Sequence, residues 1–172
     1  MDLFEIIRAR QSVRVYQTRE LEPAKLQALL SAINQAPSAG NLQAYQVHVV
    51  RNSVLKRGLA KAAFDQNFLA QAPLALVFCA APARAAEYGR RGEELYSVQD
   101  ATIATAYAQL AATALGLATC WVGAFDERQV ALALDLPAGQ RPIAMLPVGY
   151  AAEEPPRTLR RPLTELVSDA GA

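Results

Sequence analysis

The segment Leu74–Ala80 most constrains the fold, because it is an unbroken apolar run of strand length. Such a run is typical of a central strand that is buried on both faces of its sheet. Further strands are predicted over residues 45–50, 118–125 and 142–150. Helical patterns lie among these strands without strict alternation, so the sequence predicts an α+β fold with helices packed around a small sheet.

The longest predicted helix covers residues 93–117. Its larger apolar residues share one face: Ile103, Tyr107, Leu110, Ala114 and Leu117. The opposite side is mostly alanine and threonine, and a helix that is apolar nearly all round is buried on all sides. In a chain of 172 residues this pattern predicts a subunit interface. Polar residues interrupt the helix, which argues against a membrane span: Thr102, Thr105, Gln109 and Thr113.

Shorter helices are predicted from capping signals and apolar spacing. Asp2 caps a helix over residues 2–8, whose expected buried face is Leu3, Ile6 and Ile7. Pro23 suits the first turn of a second helix. The apolar stripe of that helix has four members: Leu26, Leu29, Leu30 and Ile33. Two more helices are expected over residues 52–64 and after the cap residue Asp126.

One proline and one proline-rich segment determine what we expect of the C-terminal part of the chain. Pro147 lies within the predicted strand 142–150, which favours an edge position, a bulge or a weak point in the pairing. Residues 153–167 are rich in proline and arginine and read as extended, but they carry four large apolar side chains. We therefore expect this segment to wrap over a neighbour.

Composition excludes several classes of function. A net charge of +1 without a lysine run makes nucleic acid an unfavoured partner. Cys79 and Cys120 lie in apolar runs and are predicted to be buried free thiols. The single histidine, His48, alternates with valines inside a strand, so neither metal binding nor a hydrolytic triad is expected. The sequence predicts one domain over residues 1–172, no membrane partner and, from the absence of a targeting signal, a cytoplasmic location.

The stretch Arg10–Arg14 is the strongest candidate for a binding site. Arg10, Ser12 and Arg14 are spaced by two, so in an extended segment their side chains point the same way. Guanidinium groups match phosphate oxygens, and a serine hydroxyl adds one further contact. Taken alone, the five residues fit an anion site and a solvated basic loop about equally well.

Four features together resemble the nitroreductase family of FMN-dependent oxidoreductases, and the resemblance covers essentially the whole chain. They are the basic stretch, the loop Pro37-Ser38-Ala39-Gly40-Asn41-Leu42-Gln43, the strand end Trp121-Val122-Gly123, and the arginines Arg157, Arg160 and Arg161. No single motif is specific, and the argument rests on their order and spacing. The resemblance implies a nitroreductase-like α+β fold, with a central mostly antiparallel sheet surrounded by helices, in an intertwined homodimer with FMN at the subunit interface.

The resemblance also implies roles for residues of the basic stretch and of the C-terminal segment. Arg10, Gln11 and Ser12 would hold the phosphate and ribityl chain of FMN, and Arg160, with Arg161, would complete the phosphate site. Arg14 would reach the pyrimidine end of the flavin and stabilise the reduced flavin, the alternative being a second phosphate contact. No side chain is required as a catalytic acid or base.

The remaining implied contacts come from three other segments. The loop of the other subunit would supply four residues: Pro37, Ser38, Asn41 and Gln43. Read without the resemblance, the same loop also fits an ordinary helix-to-strand connection. Val122 and Gly123 would offer backbone N–H groups to the flavin ring, and glycine permits close approach. Gln66 and Asn67 would lie near the pyrimidine edge.

The activity implied by the resemblance is reduction of nitroaromatics, quinones or similar electron-poor acceptors with NAD(P)H, by a ping-pong mechanism. The family usually has proline and tryptophan after the loop glutamine, whereas this chain has Ala44 and Tyr45, so its substrate range is open. One alternative is a specialised member of the same fold that dehalogenates, fragments flavin or oxidises azolines. Another is a dimeric flavin-binding protein with low turnover.

Overall fold

The computed structural model describes residues 1–171. Its eight helices within that range are α1 (Leu3–Ala9), α2 (Pro23–Ile33), α3 (Ser53–Ala62), α4 (Phe68–Gln71), α5 (Gly89–Arg91), α6 (Ser97–Ala114), α7 (Glu127–Leu134) and α8 (Leu163–Leu166). The strands are β1 (Tyr45–Val50), β2 (Leu74–Ala80), β3 (Ala118–Thr119) and β4 (Arg141–Gly149). Short 3₁₀ turns cover Ala39–Asn41 and Pro82–Tyr88, and a π turn over Gly92–Tyr96 leads into α6.

The four strands form one antiparallel sheet in the order β1-β2-β4-β3. Every residue of β2 is buried, which confirms the prediction from its apolar run. Alternate side chains of β2 enter two different core clusters, because successive residues of a strand point to opposite faces. Leu76 and Phe78 pack with α2 and α6, while Val77 and Cys79 pack with α3 and α7. The α+β architecture with helices on a central antiparallel sheet is thus as predicted.

The position of Pro147 excludes one of the three alternatives that the sequence left open, the edge strand. β4 lies between β2 and β3, so Pro147 is not on an edge strand. The predicted strand 118–125 is also shorter than expected, because pairing stops at Thr119 and returns only as a bridge from Val122 to Met145. Met145 exchanges two backbone hydrogen bonds with Val122. Pro147 lies two residues further along β4, so its backbone nitrogen also faces β3, but proline has no N–H to donate there. The proline therefore marks the weak point that interrupts β3.

Within this chain α6 is buried mainly through its small residues, and the predicted subunit interface stays a prediction. Its small residues contact the sheet, and four of them are completely buried: Ala101, Ala104, Ala108 and Ala112. The larger face is less buried, since Tyr107 is exposed and Ile103 and Leu110 are half-buried. Alanines allow the helix axis to lie close to the sheet, while of the large-residue face Ile103 and Leu117 reach the core and Tyr107 does not. No helix within residues 1–171 has the length and apolarity needed to cross a bilayer.

The two chain ends expose apolar side chains. Asp2 caps α1 as predicted, in a reciprocal box with Glu5. The predicted buried face of α1 is wrong for this chain, because Leu3 and Ile7 are 59% and 50% exposed. The C-terminal segment is extended up to the short helix α8, and Leu159 and Leu163 are also exposed.

Candidate functional site

A cleft of about 630 Å³ lies between the end of α1, the stretch that follows it and the C-terminal segment. Five arginines line it: Arg8, Arg10, Arg14, Arg157 and Arg160. Gln11, Ser12 and Thr158 add polar groups, and none of the lining side chains is acidic. The ion pairs among residues 1–171 involve other arginines, so these five guanidinium groups carry no paired carboxylate. The cleft is therefore built to attract an anion.

The basic stretch is held in place as an added edge of the sheet. Ser12 bridges Thr119 in parallel, and the Val13 N–H donates to the Thr119 carbonyl oxygen at 3.0 Å. Val13 and Tyr16 are buried, which leaves Arg10, Ser12 and Arg14 to line the cleft. The convergence of these three residues is as the spacing predicts.

Glu153 fixes the backbone at Arg14. Its Oε1 accepts hydrogen bonds from the Arg14 N–H at 2.6 Å and the Val15 N–H at 3.1 Å. Burial raises the pKa of the Tyr16 hydroxyl, with further upward contributions from Cys120 and from this carboxylate. The Glu153 carboxylate thus anchors the backbone under the arginines, while its own side chain lies outside the lining of the cleft.

A buried thiol lies directly behind the basic stretch. Cys79 and Cys120 are both free and buried, as predicted. Burial raises the pKa of Cys120, while Arg14, a hydrogen bond with Ser12 and Arg10 act in the opposite direction. Burial also raises the pKa of Cys79, to about 12. Both thiols are therefore protonated at neutral pH and behave as packing residues.

We expected the backbone N–H groups of both Val122 and Gly123 to be available to a ligand, and only one of them is. Val122 is buried, and its N–H donates to the Met145 carbonyl oxygen at 2.9 Å. The Gly123 N–H makes no hydrogen bond within residues 1–171, and Gly123 is exposed. Only Gly123 therefore keeps a free donor, because pairing across the sheet uses the one at Val122.

Gln66 and Asn67 lie on the loop between α3 and α4. Gln66 Nε2 donates to the carbonyl oxygens of Ala63 and Ala124, each at 3.0 Å, so its amide ties this loop to the strand end after Gly123. Asn67 precedes α4 without a side-chain capping bond. The first residue of α4, Phe68, has its ring centroid 5.9 Å from the Arg14 guanidinium carbon. This loop thus reaches the vicinity of Arg14 without lining the cleft.

The loop from Pro37 to Gln43 does not meet the cleft within this chain. Its ends are tied to Asp100 at the start of α6, whose carboxylate accepts from the N–H groups of Ala39 and Ala44. The basic stretch instead lies beside the other end of α6, where Gln11 and Thr113 line a shared hollow. Thr113 lies thirteen residues after Asp100, which corresponds to about 20 Å along the helix. Ser38, Asn41 and Gln43 are therefore remote from Arg10.

Several residues of the site were missed by sequence reasoning. Arg8 lines the cleft and was not predicted, whereas the predicted Arg161 is exposed and does not line it. Arg157 also lines the cleft; the sequence singled it out with Arg160 and Arg161 but gave it no role. Arg8 lies in the last turn of α1. The helix predicted over residues 2–8 ended at this arginine, so the sequence did contain a signal for its position. Glu153 and Asp100 act through backbone N–H groups far away in sequence, so no local pattern could have identified them.

Known proteins resemble this chain in sequence and fold. An NADH dehydrogenase of Thermus thermophilus is 30% identical, with 92% of this chain and 91% of the relative covered. A protein of Bacillus subtilis named FMN reductase [NAD(P)H] is 30% identical, over 88% of this chain and 67% of its own. The solved structure of an FMN-dependent nitroreductase from Clostridium difficile R20291 superposes with a TM-score of 0.78 at 27% identity, covering 88% of this chain and 89% of its own.

The family-level comparison covers the parts of the chain that build the sheet and the N-terminal wall of the arginine cleft. The model of the nitroreductase family matches residues 7–68 and 61–150, which include the basic stretch, the loop before β1 and the strand end at Gly123. Together with relatives at 30% identity over most of their length, this match settles the family question: the chain belongs to the nitroreductase family.

Proposed function

We propose that this protein is an FMN-dependent oxidoreductase that uses NAD(P)H to reduce nitroaromatics, quinones or similar electron-poor acceptors. The observation that carries the proposal is the cleft of five arginines without a carboxylate, which suits the phosphate of a flavin nucleotide. The relatives add support, because one is named an FMN reductase that uses NAD(P)H and another an FMN-dependent nitroreductase.

Two further features of the site fit FMN. Gln11 Oε1 is buried and finds no hydrogen-bond partner among residues 1–171, so a hydroxyl donor such as a ribityl group would satisfy it. Gly123 offers an unused N–H on a surface without a Cβ, where the edge of a flat ring can come close. Arg10, Gln11, Ser12 and Arg160 would hold the phosphate and ribityl parts, and Gly123 would contact the ring.

The two parts of the site would come from two chains of a homodimer. Within one chain, Ser38, Asn41 and Gln43 lie near Asp100 at one end of α6, and the cleft lies near the other end. Exposed apolar side chains at both termini support association with a second copy: Leu3, Phe4, Ile7, Leu159, Leu163, Leu166 and Val167. The C-terminal segment would then wrap over the partner subunit.

Bound FMN would supply the redox chemistry, taking a hydride from NAD(P)H and passing electrons to the acceptor. The protein's own residues bind and orient. The Arg14 guanidinium brings a positive charge into the cleft, and Glu153 holds its backbone. The cation at Arg14 would favour negative charge on a bound ring. Gln66 holds the strand end at Ala124, and so fixes the position of the free Gly123 N–H.

The first test is a visible absorbance spectrum of the purified protein with FMN, followed by anaerobic addition of NADPH and then NADH. We expect the oxidised flavin bands to appear on binding and to bleach with at least one donor. A protein that binds no FMN would overturn the proposal. FMN binding without reduction by either donor would favour a low-turnover flavin-binding protein instead. Parallel steady-state lines for donor and acceptor are expected for a ping-pong reaction, and intersecting lines would contradict it.

A further inference from the structure

Asp100 is a buried carboxylate that accepts hydrogen bonds from the two ends of one loop. It is 2% exposed, and it lies in the first turn of α6. One carboxylate oxygen accepts from the Ala39 N–H at 3.0 Å, and the other accepts from the Ala44 N–H at 3.1 Å. These two donors flank the segment Gly40–Gln43. One side chain therefore fixes both ends of the loop that carries Asn41 and Gln43.

The loop between these ends has a conformation that the chain does not favour by itself. Gly40, Asn41 and Gln43 have φ values of 54°, 57° and 47°. Positive φ is accessible to glycine and tolerated by asparagine, but it is uncommon for glutamine. Such residues persist where the surroundings determine their conformation, and they concentrate at functional sites. The Gln43 N–H donates to Ser38 Oγ, which closes the loop from inside.

The loop's polar groups are turned outward. Gln43 Nε2 donates to the carbonyl oxygen and to Oδ1 of Asn41, at 3.0 and 2.9 Å; Asn41 is exposed and Gln43 is half-buried. The two amides are thus ordered relative to each other before any ligand arrives, which reduces the entropy lost on binding. On the other side of the loop, Asp100 supplies its hydrogen bonds from within the protein.

We propose that Asp100 is a positioning residue for the flavin site of the neighbouring subunit, acting through the loop that it holds. This inference rests on the proposed function and adds a residue that touches neither cofactor nor substrate. A charged acceptor makes stronger hydrogen bonds to two N–H groups than a neutral one. Asp100→Asn replaces one acceptor oxygen by an NH₂ group that cannot accept, so one end of the loop loses its anchor.

The first measurement is the FMN dissociation constant, from flavin fluorescence, for wild type, Asp100→Asn and the control Glu94→Gln. Glu94 is an exposed carboxylate of the neighbouring π turn that pairs with Arg90. We expect Asp100→Asn to weaken FMN binding about tenfold or more, and Glu94→Gln to leave it unchanged. Equal affinities for Asp100→Asn and wild type would overturn the inference alone. Wild type without FMN binding would overturn the proposed function.

The second measurement separates a role in the partner's site from a role in folding. Arg10→Ala damages the cleft and leaves the loop intact, whereas Asp100→Asn does the reverse. Mixed dimers, isolated with two affinity tags, would contain one fully intact site if the loop serves the partner. We expect these dimers to bind one FMN per two chains, at a concentration where neither parent variant is loaded. Mixed dimers that bind no more FMN than their parents would overturn the inference, as would a wild-type protein that binds FMN as a monomer.

If Asp100→Asn does not fold, Ala39→Pro replaces it in both measurements. Proline removes the N–H that donates to Asp100 and leaves the buried carboxylate in place. Ala39 opens a 3₁₀ turn and follows Ser38, whose extended backbone suits a residue before proline. The expected and contradicting results are the same as for Asp100→Asn.

Discussion

The two ends of α6 organise binding groups in opposite ways. Near its C-terminal end, the cleft gathers five arginines, and the charge of these side chains dominates its properties. Near its N-terminal end, the segment Ser38–Gln43 has no charged side chain, and a buried carboxylate sets its backbone conformation. The cleft should therefore respond mainly to the loss of charge, and the loop mainly to small changes in backbone geometry. This difference can be tested region by region.

The largest effect is expected in the core beneath α6, the helix whose two ends adjoin the two regions. Phe78 is fully buried in β2 and packs in the cluster that includes α6. Phe78→Ala should lower the free energy of unfolding by about 3–5 kcal/mol, because it leaves a cavity in the core. Urea denaturation measures this loss. Phe64→Ala is the matched control, since Phe64 is 69% exposed, and it should change stability by less than about 0.5 kcal/mol. Similar losses for both variants would contradict the assigned core.

The next effect is specific to the cleft. Arg10→Ala should weaken FMN binding by about 30-fold, close to 2 kcal/mol, because it removes a charge-assisted contact to phosphate. The remaining affinity should also depend less on salt than in wild type. Fluorescence titration at two ionic strengths measures both quantities. Arg128→Ala removes an exposed arginine of α7 that does not line the cleft, and it should change neither. Equal losses in the two variants would mean that net charge alone, and not the cleft, attracts FMN.

Sequence reasoning reached these two regions to different depths. The sheet, the helices α2, α3 and α7, and the convergence of Arg10, Ser12 and Arg14 follow from local periodicity, which a single sequence displays. The exposure of Leu3 and Ile7 was missed, because a pattern identifies an apolar face without saying whether the same chain covers it. Of the three alternatives for Pro147, the edge position was wrong for a related reason, since strand order depends on pairing between distant segments.

The candidate site shows the same limit. The motifs pointed to the Pro37–Gln43 loop and to Gly123, but not to the groups that hold the loop and the basic stretch. Asp100 is 61 positions from Ala39, and Glu153 is 139 positions from Arg14. A carboxylate that accepts from backbone N–H groups has no preferred partner residue type, so sequence carries no signal for it. Val122 was assigned a free N–H because its pairing with Met145 was not foreseen.

The loop provides a smaller and more selective effect. Gly40 has φ +54°, and a Cβ at this position would overlap the Tyr88 hydroxyl. Gly139 has φ +89° with no atom within 4 Å of such a Cβ, so Gly139→Ala is a control with similar backbone strain. Each substitution should lower stability by about 1 kcal/mol. Only Gly40→Ala should also weaken FMN binding, as measured by fluorescence titration. Unchanged FMN affinity in Gly40→Ala would show that the loop tolerates distortion and would remove the contrast with the cleft.

The smallest effect concerns a contact that joins α2 to the end of the sheet, and it is visible only in acid. Glu22 precedes α2, which leads into the loop, and it accepts a hydrogen bond from the hydroxyl of Tyr150, the residue after β4. That bond, then a backbone hydrogen bond and Arg19, lowers the pKa of Glu22 from its usual 4.5 to about 2. A depressed folded-state pKa means that the stabilisation is complete above pH 4.5 and is lost as the pH falls towards 2. Glu22→Gln should therefore flatten the loss of stability between these pH values, while the exposed neighbour Glu20→Gln should not. Urea midpoints at pH 6 and pH 3 measure the difference, and an unchanged pH dependence in Glu22→Gln would mean that this carboxylate does not couple α2 to the sheet.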